Sequence, residues 1–308
     1  MTDTHYRQVW DRRSADDLAA LEAVDNSGSE TVARATGAHT AKLVAAALDL
    51  RPQDDLLELG CGAARIGREL IDRCGHWTGV DISPNMIRVA GRRLEGHDKV
   101  RLEVLERTSL SMLDDESLDK AYSVAVLCHM DKEDLFLYLR ELARVLRPGG
   151  LAYLETWNLA DPVGWYRWMY EVEFWNRADH SERKDVARNQ FCVTDEFRLY
   201  AERAGLDVLV VFDDSPWLQM IVGKGLDATR RDAERRRLAE SRSKIAYTPL
   251  FGELFLEAIR VIYGDRHPKQ ALALLDDLAP GLEVELYRTL IEGLWEQDPD
   301  RYGPAPEG

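Results

Sequence analysis

The chain has 308 residues, 40 Lys and Arg against 55 Asp and Glu, and a formal net charge of −15. Its length and 45% apolar content suit one large domain or two modest ones around a sizeable core, and exclude disorder over most of the chain. An isoelectric point near 5.0 argues against nucleic-acid partners, which need a dense cationic surface, and no run approaches the roughly 18 apolar residues that would cross a membrane.

Residues 1–52 read as a helical N-terminal zone. Met1–Arg13 is polar and lacks the apolar stretch of a secretory signal. Ser14-Ala15-Asp16-Asp17 has the form of an N-cap and first turn, and Ala41–Leu50 is an Ala/Leu-rich helix that stops before Pro52. From 53 to 222 short apolar runs alternate with helical segments, the pattern of an α/β fold with a doubly wound, Rossmann-like, mostly parallel seven-stranded sheet. The strands are placed at Leu56–Gly60, Trp77–Asp81, Val100–Leu105, Ala121–Leu127, Leu151–Thr156, Asp207–Phe212 and Trp217–Val222. Leu135, Leu139, Leu142, Ala143 and Leu146 share one helical face before Arg147-Pro148-Gly149-Gly150 stops the helix and turns the chain.

Residues 223–308 carry no strand pattern and read as a C-terminal helical extension. Ala228–Lys244 is a charged, solvated helix. Glu253–Tyr263 places Leu254, Phe255, Ala258, Ile259 and Ile262 on one stripe, and Leu286, Leu290, Ile291 and Leu294 make another. Such stripes must be buried on the sheet, on each other or on a second subunit, so the extension is expected to cap the domain or to form a homodimer. Pro299–Gly308 is expected to fray. The cysteines Cys61, Cys74, Cys128 and Cys192 form no C-x-x-C pair, which excludes a zinc ribbon and suggests reduced thiols in a cytoplasm; no metal cluster is visible.

The chemistry is carried by Leu56-Leu57-Glu58-Leu59-Gly60-Cys61-Gly62-Ala63-Ala64-Arg65-Ile66-Gly67, an apolar strand that enters a glycine turn and then a helix. Glycines at 60 and 62 let a ligand lie against the main chain. Asp81 ends the next strand, where a carboxylate can accept both hydroxyls of a ribose. A dinucleotide fingerprint would want Gly or Ala at the sixth position, which is Arg65 here. Taken with Val80-Asp81-Ile82-Ser83-Pro84-Asn85-Met86, Asp115-Glu116-Ser117-Leu118-Asp119 and the Pro-Gly-Gly turn, the ordered set resembles the class I S-adenosylmethionine-dependent methyltransferases over roughly residues 54–222.

That resemblance implies S-adenosyl-L-methionine as cofactor and assigns roles by position. Glu58 matches the acid at the methionine amino end, and Gly60 and Gly62 match the loop under the methionine and ribose. Asp81 matches the ribose acceptor, Ile82 the apolar side chain against the adenine, and Leu127 a lining residue at the end of the fourth strand. The third loop glycine is Ala64 here. The usual acid for the adenine amino group is missing around Arg107-Thr108-Ser109, which leaves Thr108 or a backbone carbonyl. Tyr6 and Trp10 match an aromatic pair on an N-terminal arm that closes over the cofactor, or they anchor that arm to the domain. His129, just past the fourth strand, is either a general base or a ring packed beside the cofactor. Cys61 and Cys128 read as packing residues.

In related enzymes an insertion after the fifth strand roofs the acceptor site. Here residues 157–190 hold Trp157, Trp165, Tyr166, Trp168, Tyr170, Phe174 and Trp175, which include four of the eight tryptophans. They form either a lid core or an electron-rich wall for an acceptor that becomes a cation. Among Arg167, Arg177, Arg183, Arg188 and Arg198, one or two could hold a substrate carboxylate. The expected function is methylation of a small molecule, favouring sulfur or nitrogen of an amino-acid-like acceptor such as the methionine thioether, which has no proton to lose. The alternatives are O- or C-methylation of a phenolic natural product, or a non-catalytic cofactor sensor.

Overall fold

Alternation of apolar strands with helices builds one central sheet. In the computed structural model, which describes residues 4–176 and 189–305, the strands are β1 (Asp55–Leu59), β2 (His76–Asp81), β3 (Val100–Val104), β4 (Leu118–Ser123), β5 (Leu146–Asn158), β6 (Phe191–Cys192), β7 (Asp207–Phe212) and β8 (Trp217–Gly223). Their order is β3-β2-β1-β4-β5-β8-β7, with the two-residue β6 beside the end of β5. Only the β5–β8 and β7–β8 pairs are antiparallel. The order reverses between β1 and β4, so a crevice opens at the carboxyl ends of the central strands.

β6 adds an eighth strand to the expected seven, and two strands depart most from their expected bounds. β4 ends at Ser123 rather than Leu127, because Ala125 takes a left-handed conformation (φ 56°) and Leu127–His129 coil into a single 3-10 turn. β5 begins at Leu146, directly from the preceding helix, and Gly149 (φ 88°) bends within the strand instead of forming a separate turn.

Helices cover both faces. The first three are α1 (Thr4–Arg13), α2 (Asp17–Asp25), capped by Asp16, and α3 (Glu30–Leu48), which starts at Ser29, well before the expected Ala41. Then come α4 (Gly67–Leu70), α5 (Pro84–Arg93), α6 (Lys132–Val145), α7 (Pro162–Trp175), α8 (Thr194–Arg203), α9 (Ala228–Glu240), α10 (Arg242–Ile245), α11 (Pro249–Tyr263), α12 (Pro268–Asp276), α13 (Leu282–Gln297) and α14 (Pro299–Tyr302). Alternation within each strand divides the core. Leu56, Tyr122 and Tyr153 pack with α3, α4, α9 and α10, while Leu57, Ala121 and Leu154 pack with α6 and α8.

The apolar stripes of the extension are buried within the chain. Val261 and Leu254 of α11 and Ile291 and Leu294 of α13 pack with α12 and with Val32 and Leu43 of α3. Gly293 lets α13 approach Val32 so closely that a Cβ there would lie 2.5 Å from a valine methyl. The stripes therefore give no reason for a second subunit. The tail as far as Gly303 is also tied down, since Trp295 Nε1 donates to the Gly303 carbonyl at 3.0 Å and Tyr302 stands edge-on to His267. Among the described residues no helix is long and apolar enough to cross a membrane.

Candidate active site

β1 delivers Glu58 and the glycine turn to the crevice. Gly60 (φ 75°) and Gly62 (φ 51°) are left-handed, and the amides of Gly60 and Cys61 both donate to the Val80 carbonyl at 2.8 and 2.9 Å. A Cβ on Gly60 would lie 2.4 Å from Val126, so the open space over the loop depends on glycine. Ala64 stands in the same left-handed region (φ 55°), a conformation costing roughly 1–2 kcal/mol for a residue with a Cβ. Asp81, at the end of β2, accepts from the Gly62 amide through Oδ2 and from the Ser83 amide through Oδ1, both at 2.9 Å. One carboxylate thus ties together the two loops that frame the crevice.

Burial pushes the Asp81 carboxyl up to about 6, against the amide hydrogen bonds that favour its ionised form. Burial also lifts Glu58 to about 8, although Tyr122 donates to it at 2.6 Å. Both values lie above those of the unfolded chain, so the unliganded fold holds protons that the unfolded chain has released. The contribution of these two carboxyls to stability therefore falls as pH rises from the ordinary carboxylate range through about 8. A cationic ligand that needs ionised Asp81 should show the opposite trend. The expected result is roughly tenfold tighter calorimetric binding of S-adenosylmethionine at about pH 7 than at about pH 5, a dependence lost in Asp81→Asn. A flat profile in the wild type would remove Asp81 from the contact.

At the far end of the crevice, Ile82, Leu105 and Thr108 line the cavity together with Asp134 from the first turn of α6. Thr108 Oγ1 donates to Asp134 Oδ1 at 2.8 Å, so α6 sets a carboxylate beside residue 108. The N-terminal arm closes this end. The Tyr6 hydroxyl donates to Asp134 Oδ2 at 3.0 Å and accepts from the Asp131 amide at 2.9 Å, and Arg7 donates to the Leu105 carbonyl at 2.7 Å. Trp10 meets His129 edge-on at 4.9 Å.

A continuous cavity of about 680 Å³ runs from this crevice to an aromatic wall. Tyr6, Trp10, Glu58, Gly60, Gly62, Asp81, Ile82, Thr108 and His129 all line it. Leu127 does not. It is 0% exposed in the core on the α6 side, because the 3-10 turn rotates it inward and leaves Ala125 and Val126 at the cavity edge. His129 is pushed down to about 3 by burial and by Arg167 and Arg13, and its Nδ1 is buried without a hydrogen-bond partner. It is neutral at physiological pH and a weak proton acceptor. The thiols of Cys61 and Cys128 are buried and pushed up by burial, so neither is a thiolate.

The acceptor wall needs correcting in part. On α7 the inward face is Arg167, Tyr170, Glu171, Phe174 and Trp175, a helical i, i+3, i+4, i+7, i+8 pattern. Trp165, Tyr166 and Trp168 fall on its other side and do not line the cavity. The Trp165 and Trp168 rings lie 4.9 Å apart, Trp165 is 50% exposed, and the Tyr166 hydroxyl donates to Asp265. Trp157 and Tyr170 do reach the cavity, Trp157 stacking on Trp217 at 4.3 Å and Tyr170 on Tyr263 at 3.5 Å. The extension supplies the rest of the wall through Tyr247, Phe251, Phe255, Tyr263 and Tyr287, none of which was expected at the site. Glu155 also lines the cavity, bonded by the hydroxyls of Tyr153 and Tyr247 and pushed up to about 7 by burial. Arg198 pairs with Glu202 on α8, away from the cavity, while Arg177, Arg183 and Arg188 lie outside the described residues.

Residues 56–150 match a family described as a methyltransferase domain. Among curated proteins the chain is 34% identical over 112 residues to the methyltransferase GfsG of Streptomyces halstedii, covering 33% of this chain and 37% of that one. It is 30% identical over 186 residues to the 27-O-demethylrifamycin SV methyltransferase of Amycolatopsis mediterranei, covering 58% and 63%. The first three curated relatives are spanned over 37%, 30% and 35% of their own lengths. A Haloferax volcanii methyltransferase solved in complex with its Trm112 activator superposes with a TM-score of 0.52 at 19% identity, over 70% of this chain and 98% of that one, a likeness of fold. Residues 56–150 thus match a methyltransferase domain, set on a Rossmann-like sheet, and the family it resembles uses S-adenosyl-L-methionine as its cofactor. The crevice fits that cofactor, with a glycine cradle that a Cβ would fill and the Asp81 carboxylate at its edge.

Proposed function

We propose that this domain transfers a methyl group from S-adenosyl-L-methionine to a small molecule held against the aromatic wall. The observation that carries the reading is the continuity of one cavity from the glycine turn and Asp81 to Trp157, Trp217 and the extension, with a volume in the range of small-molecule sites. Gly60 and Gly62 would lie under the cofactor, with Asp81 at its ribose and Glu58 at its methionine amino end. Ile82 and the Thr108–Asp134 pair would hold the adenine, and Tyr6 and Trp10 would cover it. The cofactor supplies a methyl group already activated on a sulfonium, so the protein's part is alignment and exclusion of water.

The favoured acceptor atom is sulfur or nitrogen of an amino-acid-like molecule. A thioether has no proton to lose, which suits a site whose histidine is held near 3, and aromatic faces favour a product that gains charge. The second reading is O-methylation of a flat phenol, supported by the breadth of the apolar wall and by the place of His129 on the cavity. A screen with labelled cofactor against methionine, other amino acids, amines and phenols separates them. Label is expected on sulfur or nitrogen. Label only on oxygen, lost in His129→Ala, would overturn that choice, and cofactor binding without transfer to any acceptor would point to a sensor.

A further inference from the structure

We infer that Arg167 binds a carboxylate of the methyl acceptor, so that the substrates of this chain are carboxylic acids. This narrows the acceptor class and rests on the methyltransferase reading. Arg167 lies on the inward face of α7, its side chain 21% exposed. Its guanidinium carbon stands 5.2 Å from the ring centres of both Trp157 and Tyr263, which fix the group at the wall while leaving its edge free. Its hydrogen bonding is incomplete. Nε is buried without a partner, and neither terminal nitrogen makes a hydrogen bond among the described residues.

Among the described residues the one acid paired with it is Glu171, 3.7 Å from Nε, an ion pair beyond hydrogen-bond length. Glu171 is engaged elsewhere: it accepts from the Asn189 amide at 3.2 Å and from the Asn189 side chain, whose Oδ1 in turn accepts from Trp157 Nε1 at 3.1 Å. The other arginines with an unpaired buried Nε among the described residues, Arg7, Arg93, Arg231 and Arg266, each hydrogen-bond through a terminal nitrogen. Arg144 bonds Glu141, Asp115 and the carbonyls of Leu110 and Leu113, and Arg237 bonds the carbonyls of Ala46 and Ala47 and Glu234.

A largely buried guanidinium with open donors is costly until an acceptor completes it, and its planar fork matches a carboxylate. Glu171 beside it disfavours a dianion such as phosphate, so a monoanionic carboxylate is the better partner. The site is also well placed for the reaction. Arg167 lines the same cavity as His129, Asp81 and the glycine turn, so an acid held by it shares that space with the cofactor crevice.

The test uses the full chain saturated with S-adenosylhomocysteine. Aliphatic, aromatic and α-amino carboxylic acids, methionine included, are titrated by calorimetry, each beside its primary amide. At least one acid is expected to bind about tenfold or more tightly than its amide, the scale of a charge-assisted hydrogen bond. Arg167→Gln should erase that preference and Arg167→Lys should keep part of it, with S-adenosylhomocysteine affinity unchanged in both as proof of folding. No preference for any acid in the wild type, or a preference that survives Arg167→Gln, overturns the clamp. Failure of the wild type to bind S-adenosylhomocysteine would instead remove the methyltransferase reading beneath it.

Discussion

Gly60→Ala is expected to abolish measurable cofactor binding and to lower stability by several kcal/mol, on the order of the two costs it combines. The residue sits at φ 75°, where a Cβ costs roughly 1–2 kcal/mol, and that Cβ would lie 2.4 Å from one methyl of Val126 and 2.6 Å from the other. Val126 is β-branched and cannot swing one methyl away without driving the other into the backbone, so the collision adds about 1–3 kcal/mol. Any relief moves the β1 turn, which carries the Gly62 amide off Asp81, or moves Val126 into the cavity. Both routes close the cradle. Urea denaturation and S-adenosylhomocysteine calorimetry measure the two effects. Gly96→Ala is the control for backbone strain alone, because Gly96 has φ 90° and nothing within 4 Å of the added carbon. If Gly60→Ala bound the cofactor within about twofold of the wild type, the loop would not be the cradle.

The cofactor half of the site was legible because its parts are local. A strand, a glycine turn and an acid at the next strand end are set by adjacent residues, and the sheet pairs β1 with β2, Leu59 beside Val80. Leu127 was misplaced because strand continuation was read through Ala125, and nothing in an alanine announces a left-handed backbone. Asp134 was missed for a different reason. Glu133-Asp134 reads as the acidic first turn of a helix, a pattern with its own sufficient cause, and only the packing of α6 on β4 and β5 shows that Asp134 points to Thr108.

The acceptor half depends on long-range packing. The aromatics after β5 were visible, but their assignment to the cavity turned on helical phase, which selected Arg167, Tyr170 and Phe174 and turned Trp165 and Trp168 outward. The phase is fixed by where the Asp161 cap starts α7, accepting from the amides of Val163 and Gly164. The extension was read as a cap or a dimer surface because a stripe specifies only that it must be buried. Its partner proved to be α3, on the opposite side of the sequence, and Phe251 and Tyr287 reach the cavity as a consequence.

That dependence on the seating of α7 makes Gly164 the second sensitive position. A Cβ at residue 164 would lie 1.8 Å from the Asn158 carbonyl oxygen, a contact between backbone and new side chain that no rotamer relieves. Asn158 cannot retreat. Its amide donates to the Pro216 carbonyl at 2.9 Å, its side-chain nitrogen donates to the carbonyls of Asp213 and Ser215 at 2.8 and 3.0 Å, and its Oδ1 accepts from Ala160. In Gly164→Ala the first turn of α7 must therefore lift away from β5, carrying Arg167 and Tyr170 with it. The glycine turn, Asp81 and Asp134 belong to other elements and stay in place. S-adenosylhomocysteine should bind with near wild-type affinity, while methyl transfer to whichever acceptor the screen identifies should fall about a hundredfold, the scale of a misplacement near 1 Å at a reacting pair. Turnover equal to the wild type would show that α7 is not the roof of the acceptor site, and a parallel loss of cofactor affinity would show that the two halves of the cavity are not built independently.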